Sequence, residues 1–258
     1  MNILIQSNSP WSHTGYGGPT KSLLKRLNKA GGYTTSVFCF YGLHGGPIKI
    51  GDNLMLPPGE DAWGNDIIDA HIARVEADLL ITNMDAWVLS NYGNRGAYWL
   101  GWLPIDHESA PPAVVAALAT CHKPVSYTKH GELALKAAGI ERAESIHLGI
   151  ESDTYYPDPK GRELMRKYLH IPDDAFLIGM VANNRGFPIR KGFDVCFEAF
   201  AEMRKTHPNT YLYCHTNPAP GPDRPALESF LHPFGLTMAD VIWPQPYDYA
   251  MGYTPELM

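Results

Sequence analysis

The stretch from Phe176 to Phe200, FLIGMVANNRGFPIRKGFDVCFEAF, decides how this chain is read. Residues 176–181 form a short apolar run, expected to be a buried strand. A polar turn follows, carrying Gly186, Arg185, Arg190 and Lys191. An amphipathic helix is predicted over 193–206. A strand, a turn and a helix in this order aim backbone N–H groups, a helix N-terminus and basic side chains at one spot. That combination suits a phosphate or diphosphate. The reading that follows is a loop holding the diphosphate of a sugar nucleotide, with residues 1–155 as a second domain facing it. The competing reading is an ordinary connection whose Arg and Lys are merely solvated.

The remaining chain reads as alternating strands and helices. Strands are expected at residues 2–6, 33–41, 77–82, 97–105, 124–127 and 145–148, with 48–50 as a possible edge strand. Helices are expected from Pro19 to the Gly31-Gly32 stop and at 66–76, 112–120 and 131–138. Such alternation predicts an α/β fold with mostly parallel, helix-covered sheets. Residues 149–160, GIESDTYYPDPK, hold two prolines and no periodicity, so the domain boundary is placed there. Beyond it come a helix at 161–169, the central stretch, a strand at 211–215, a helix at 226–231 and a strand at 240–243. Thr254-Pro255-Glu256-Leu257 carries helix-start signals, and the second domain has only three candidate strands. The expectation is a chain truncated within that domain.

Composition narrows the function. With 258 residues, 45% hydrophobic and 19% charged, the chain suits a soluble protein of one large or two smaller domains. A net charge of −6 without a basic stripe leaves no electrostatic footprint for nucleic acid. The cysteines Cys39, Cys121, Cys196 and Cys214 lie far apart with no C-x-x-C, so neither a zinc knuckle nor a redox pair is indicated. Reduced thiols, no signal peptide and no run of 18 apolar residues point to a cytoplasmic protein without a membrane span. The histidines show no i,i+3 or i,i+4 pairing, so no metal site is expected.

In order, these pieces resemble the family 4 glycosyltransferases. The match is carried by Gly15-Tyr16-Gly17-Gly18-Pro19-Thr20 after the first strand, by Asp106-His107 after the 97–105 strand, by the linker Leu148 to Pro157, and by Gly179 to Ala199. The resemblance implies the GT-B fold of two facing Rossmann-like domains: 1–155 on the acceptor side and 156–258 as the first, incomplete part of the donor domain. The sequence departs from the family in three ways. Arg185 stands six positions before Lys191 where five is usual, Leu148 and Glu151 replace common Asn and Asp, and the acidic E-x7-E element is absent.

The implied activity is a retaining, metal-independent glycosyltransferase. The nucleotide-diphospho-sugar is a co-substrate and there is no further cofactor. The diphosphate would meet Arg185, Lys191 or Arg190, and Gly17 and Gly18 would allow close backbone approach. His107 and Asp106 would sit at the reacting centre. Trp11, His13, Tyr16, Ser126, Tyr127 and Lys129 are further candidates for the cleft. Each also has a structural alternative: a turn, a capped loop or a satisfied histidine. The acceptor stays open among a glycan, a lipid-linked sugar and a small molecule, with nucleic acid least favoured. A non-catalytic sugar- or nucleotide-binding module and a sugar-nucleotide epimerase on the same architecture are the alternatives.

Overall fold

The computed structural model describes residues 1–90, 92–186 and 188–252. The helix start expected at Thr254 to Leu257 lies outside the described residues. The chain divides into two compact units, Met1–Ile150 and Glu151–Met258.

The first unit runs β1 (Asn2–Asn8), α1 (Gly17–Ala30), β2 (Thr34–Tyr41), β3 (Ile48–Ile50), β4 (Asn53–Leu56), α2 (Ile68–Val75), β5 (Leu79–Asn83), β6 (Tyr98–Leu103), α3 (Pro112–Leu118), β7 (Lys123–Ser126), α4 (Lys129–Ala137) and β8 (Glu144–Ser145). Its sheet has the order β3-β4-β2-β1-β5-β6-β7-β8. All pairings are parallel except β3 with β4. β1 is buried along almost its whole length, as a central parallel strand covered on both faces must be. Ile3 and Ile5 enter the cluster that takes Leu24 of α1. Leu4 enters the larger cluster with Phe38, Ile68 and Trp99. The chain leaves β1 toward β2 on one side and returns to β5 on the other. The order therefore reverses between β1 and β5, the place where open α/β sheets bind ligands at the strands' carboxyl ends.

Glu132 of α4 is nearly buried and is held by three donors. Lys129 Nζ lies 2.7 Å and Lys136 Nζ 2.8 Å from Oε1, and Ser145 Oγ donates to Oε2 at 2.7 Å. The Lys129 bond first, then those of Lys136 and Ser145, draws the carboxyl from its usual 4.5 down to about 2. Because the folded value is depressed, this contribution to stability is complete above the unfolded value and is lost as pH falls from about 4.5 toward 2. Glu132→Gln is expected to flatten the pH dependence of thermal unfolding across that window, leaving the slope above pH 5 as in the parent. An unchanged acid limb would contradict it.

The second unit runs α5 (Pro159–Tyr168), β9 (Phe176–Val181), α6 (Phe193–Thr206), β10 (Thr210–His215), α7 (Glu228–Leu231), β11 (Val241–Ile242) and α8 (Pro246–Met251). Its parallel sheet has the order β11-β10-β9. Phe193, Phe197 and Phe200 of α6 pack with Leu212 and Cys214 of β10. The expectation of a buried strand at 176–181 is corrected here. β9 is an edge strand among the described residues, with Phe176 59% and Val181 80% exposed. Its apolar run is shielded chiefly where Ile178 and Met180 meet the core.

Candidate functional site

The turn after β9 is built on Asn184, which is buried. Its N–H donates to Thr216 Oγ1 at 3.1 Å, and its Nδ2 donates to the carbonyls of Asn217 and Pro225 at 3.1 and 2.9 Å. Gly186 N–H donates to the Asp223 carbonyl at 2.8 Å. The turn is thereby tied to the segment after β10. On this base Arg185, Arg190 and Lys191 all face solvent. Arg185 Nε bonds Asp223 Oδ2 at 2.6 Å, with both side chains more than half exposed, a pairing worth about 0–1 kcal/mol. Arg190 and Lys191 pair with none of the described residues.

Lys191 precedes Gly192, the left-handed N-cap of α6 (φ 66°), which supplies no side-chain cap. The first N–H groups of α6 therefore lack the oxygen that a Ser or Asp cap would provide. Two exposed cations at a helix N-terminus are disfavoured by about 0.3–1 kcal/mol each unless an anion is present. Asp194 in the first turn supplies one acid. His215 ends β10 near this turn, with Nδ1 2.6 Å from the Tyr213 hydroxyl. Burial lowers its pKa, so its ring is neutral near pH 7.

In the first unit the candidates collect at the carboxyl edge of the sheet. Asn83, buried at the end of β5, is the hub. Its Nδ2 reaches Ser7 Oγ (3.2 Å), the Tyr16 carbonyl (3.1 Å) and Thr20 Oγ1 (3.0 Å), and its Oδ1 accepts from the Tyr127 hydroxyl. Tyr16 donates its hydroxyl to Asp85 Oδ2 at 2.7 Å. Burial, then the bond to Asp85, pushes the Tyr16 phenol well above its usual value, and burial does the same to Tyr127. Both phenols stay protonated as donors.

The glycines expected to admit a ligand differ from each other. A Cβ on Gly17 would stand 2.2 Å from the Ser12 carbonyl oxygen, so its own loop already demands glycine there. The Gly17 and Gly18 N–H groups donate to Thr14 Oγ1 (3.0 Å) and the Thr14 carbonyl (3.3 Å). Only Gly18 opens onto free space.

Asp106 and His107 lie on an exposed turn after β6, between buried Ile105 and Ala110. Asp106 Oδ1 is 3.0 Å from His107 Nδ1, and His130 Nε2 is 3.0 Å from the His107 carbonyl. Among the described residues no group of three His, Cys, Asp or Glu is placed to hold a metal ion. Burial pushes the Cys39 and Cys214 thiols up to about 12, which removes them as nucleophiles at neutral pH.

No family model and no curated protein matches the sequence. Solved structures do match. A trehalose-6-phosphate structure from E. coli bound with UDP-2-fluoro glucose is 13% identical, with 100% of this chain and 75% of that one covered at a TM-score of 0.63. WaaG, a glycosyltransferase involved in lipopolysaccharide biosynthesis, is 14% identical over 96% of this chain and 71% of its own at 0.66. HepE from Anabaena in complex with UDP is 16% identical over 94% and 68% at 0.64. These are GT-B glycosyltransferases.

The chain has the GT-B fold.

At such identities the likeness is one of fold. Several residues of this GT-B chain that sequence reasoning passes over are the ones that build its edges: Asn83, Asp85 and Trp87 in the first unit, and Asn184 in the second. Asn184 stands in the central stretch between two recognised features, and its place there is the one available signal. Among the described residues no helix is long and apolar enough to cross a membrane.

Proposed function

We infer that the chain is a retaining glycosyltransferase moving a sugar from a nucleotide-diphospho-sugar to an acceptor hydroxyl. The observation that carries this reading is the pair of exposed cations, Arg190 and Lys191, without partners among the described residues, at the uncapped start of α6. The GT-B fold, shared with structures bound to UDP and UDP-2-fluoro glucose, agrees with it.

In this reading residues 156–258 serve the donor and residues 1–155 the acceptor. The bond from the anomeric carbon to the diphosphate oxygen breaks, and the diphosphate leaves with the electron pair. Lys191, Arg190 and Arg185 balance the charge that develops there, Arg185 by exchanging Asp223 for phosphate. The positive charge thus comes from side chains and requires no resident metal. The acceptor oxygen bonds to the anomeric carbon on the face the diphosphate leaves, and its proton passes to the departing phosphate oxygen. His107, oriented by Asp106, contacts the sugar at the reacting centre. Gly17 and Gly18 keep the start of α1 free of side chains.

Nucleoside diphosphate release from a panel of sugar nucleotides tests the activity, and the anomeric configuration of the product by NMR tests retention. His107→Ala is expected to lower transfer about a hundredfold, leaving nucleoside diphosphate affinity within about twofold. Unchanged transfer would remove His107 from the site.

A further inference from the structure

The carboxyl edge of the first sheet presents indoles that its own core does not use. Trp87 sits in a short 3-10 turn after β5 and is 57% exposed, although its neighbours Ala86 and Val88 are buried. The ring is held in place. Trp63 packs against it edge-on, with centroids 6.2 Å apart and planes at 66°. The Trp63 carbonyl accepts from Gln6 Nε2 at 2.7 Å, and Asn65 Nδ2 donates to the Val88 carbonyl at 3.0 Å. Trp11, in the loop after β1, is 41% exposed and donates its indole N–H to the Gly42 carbonyl at 2.8 Å. That bond occupies its polar atom and leaves its ring face. Between the two loops runs the Tyr16–Asp85 bond, at the β1/β5 reversal.

Charge selects among the ligands that such rings accept. Residues 9–16, 42–47, 57–67, 84–90, 104–111 and 127–128, in the loops following the parallel strands, contain six Asp or Glu and no Lys or Arg; of the cations nearby in sequence, Arg95 is ion-paired with Asp69 and Lys129 with Glu132. A phosphorylated or carboxylated ligand meets no guanidinium or ammonium group in these segments, the nearby Arg95 and Lys129 already being paired with carboxylates, and is repelled by Asp85, Asp106 and Glu108. Pyranose rings offer an apolar C–H face to an indole, and their hydroxyls donate to carboxylates. A ring already fixed in its binding orientation loses little entropy on contact.

We propose that the acceptor is an uncharged carbohydrate, with one sugar ring lying on the Trp87 indole and a hydroxyl donating to Asp85. This rests on the acceptor role given above to the first unit.

The test is a glycan array probed with the full chain in the absence of donor, carrying neutral, phosphorylated and uronic-acid glycans side by side. The best neutral hit is then titrated by calorimetry. Neutral glycans are expected to bind. Trp87→Ala is expected to weaken them about tenfold or more, while Trp87→Phe retains most of the affinity and both variants keep the parent's melting temperature. Retention of only phosphorylated or acidic glycans overturns the proposal. So does neutral binding indifferent to Trp87→Ala, or no glycan binding at all. UDP titration of the same samples separates this from the donor reading: UDP bound with no glycan bound defeats the acceptor proposal alone.

Discussion

Replacing Lys191 by alanine is expected to lower kcat/KM for sugar transfer at least a hundredfold while thermal stability stays within about 1 kcal/mol of the parent. The size follows from where the ammonium group acts, since a donor aimed at charge that develops in the transition state is worth about 2.7–4 kcal/mol. The unchanged stability follows from its surroundings, because the side chain is exposed and bonds to none of the described residues. Removing a cation from a helix N-terminus is mildly favourable in the free protein, by about 0.3–1 kcal/mol. Arg185→Ala should cost less, because Arg185 must first leave Asp223. Calorimetric titration with UDP at two salt concentrations checks the assignment, and the alanine variant should show the weaker salt dependence. If transfer and UDP affinity both survive Lys191→Ala, the turn after β9 is not the anion site.

Asn83→Ala carries the largest expected loss of stability, about 3 kcal/mol. Asn83 is fully buried, and its amide bonds groups from β1, α1 and the loop after β7. Truncation leaves the Tyr127 hydroxyl without its acceptor, at about 1–3 kcal/mol for a buried group left unsatisfied, and removes a donor each from Ser7 Oγ, Thr20 Oγ1 and the Tyr16 carbonyl, which keeps the Thr20 N–H. For a unit of this size the midpoint should fall by roughly 6–12 °C. Tyr127→Phe removes one arm of the same hub and should cost only about 1 kcal/mol. Equal losses for the two variants would show that the hub is not the centre of the network.

How far the sequence reaches depends on how local each signal is. β9 and α6 lie at the residues expected for them, because an apolar run ending at a polar turn and a helical stripe ending at His207-Pro208 are read within a few residues. β4 escapes such reading because its four residues lie inside the Gly- and Pro-rich stretch 42–63, and α8 because its six residues fall short of two helical turns. The exposure of β9 escapes it too, because an apolar run reports what its side chains prefer, whereas burial depends on which strands and helices arrive to cover them. Among the site residues, the cations of the turn are legible because charge is a property of the residue itself. Asn83 and Asn184 are not, since their partners stand up to 76 and 41 residues away. Trp87 is illegible for another reason. An indole that faces water and one that fills a core are the same letter, and only the burial of Ala86 and Val88 tells them apart.

Among the described residues the turn after β9 is braced by the segment 217–225, through Asn184, Gly186 and Arg185. Substitutions at Asp223 or Pro225 are therefore expected to shift UDP affinity, the first by freeing Arg185 from its ion pair and the second by moving the carbonyl that holds Asn184.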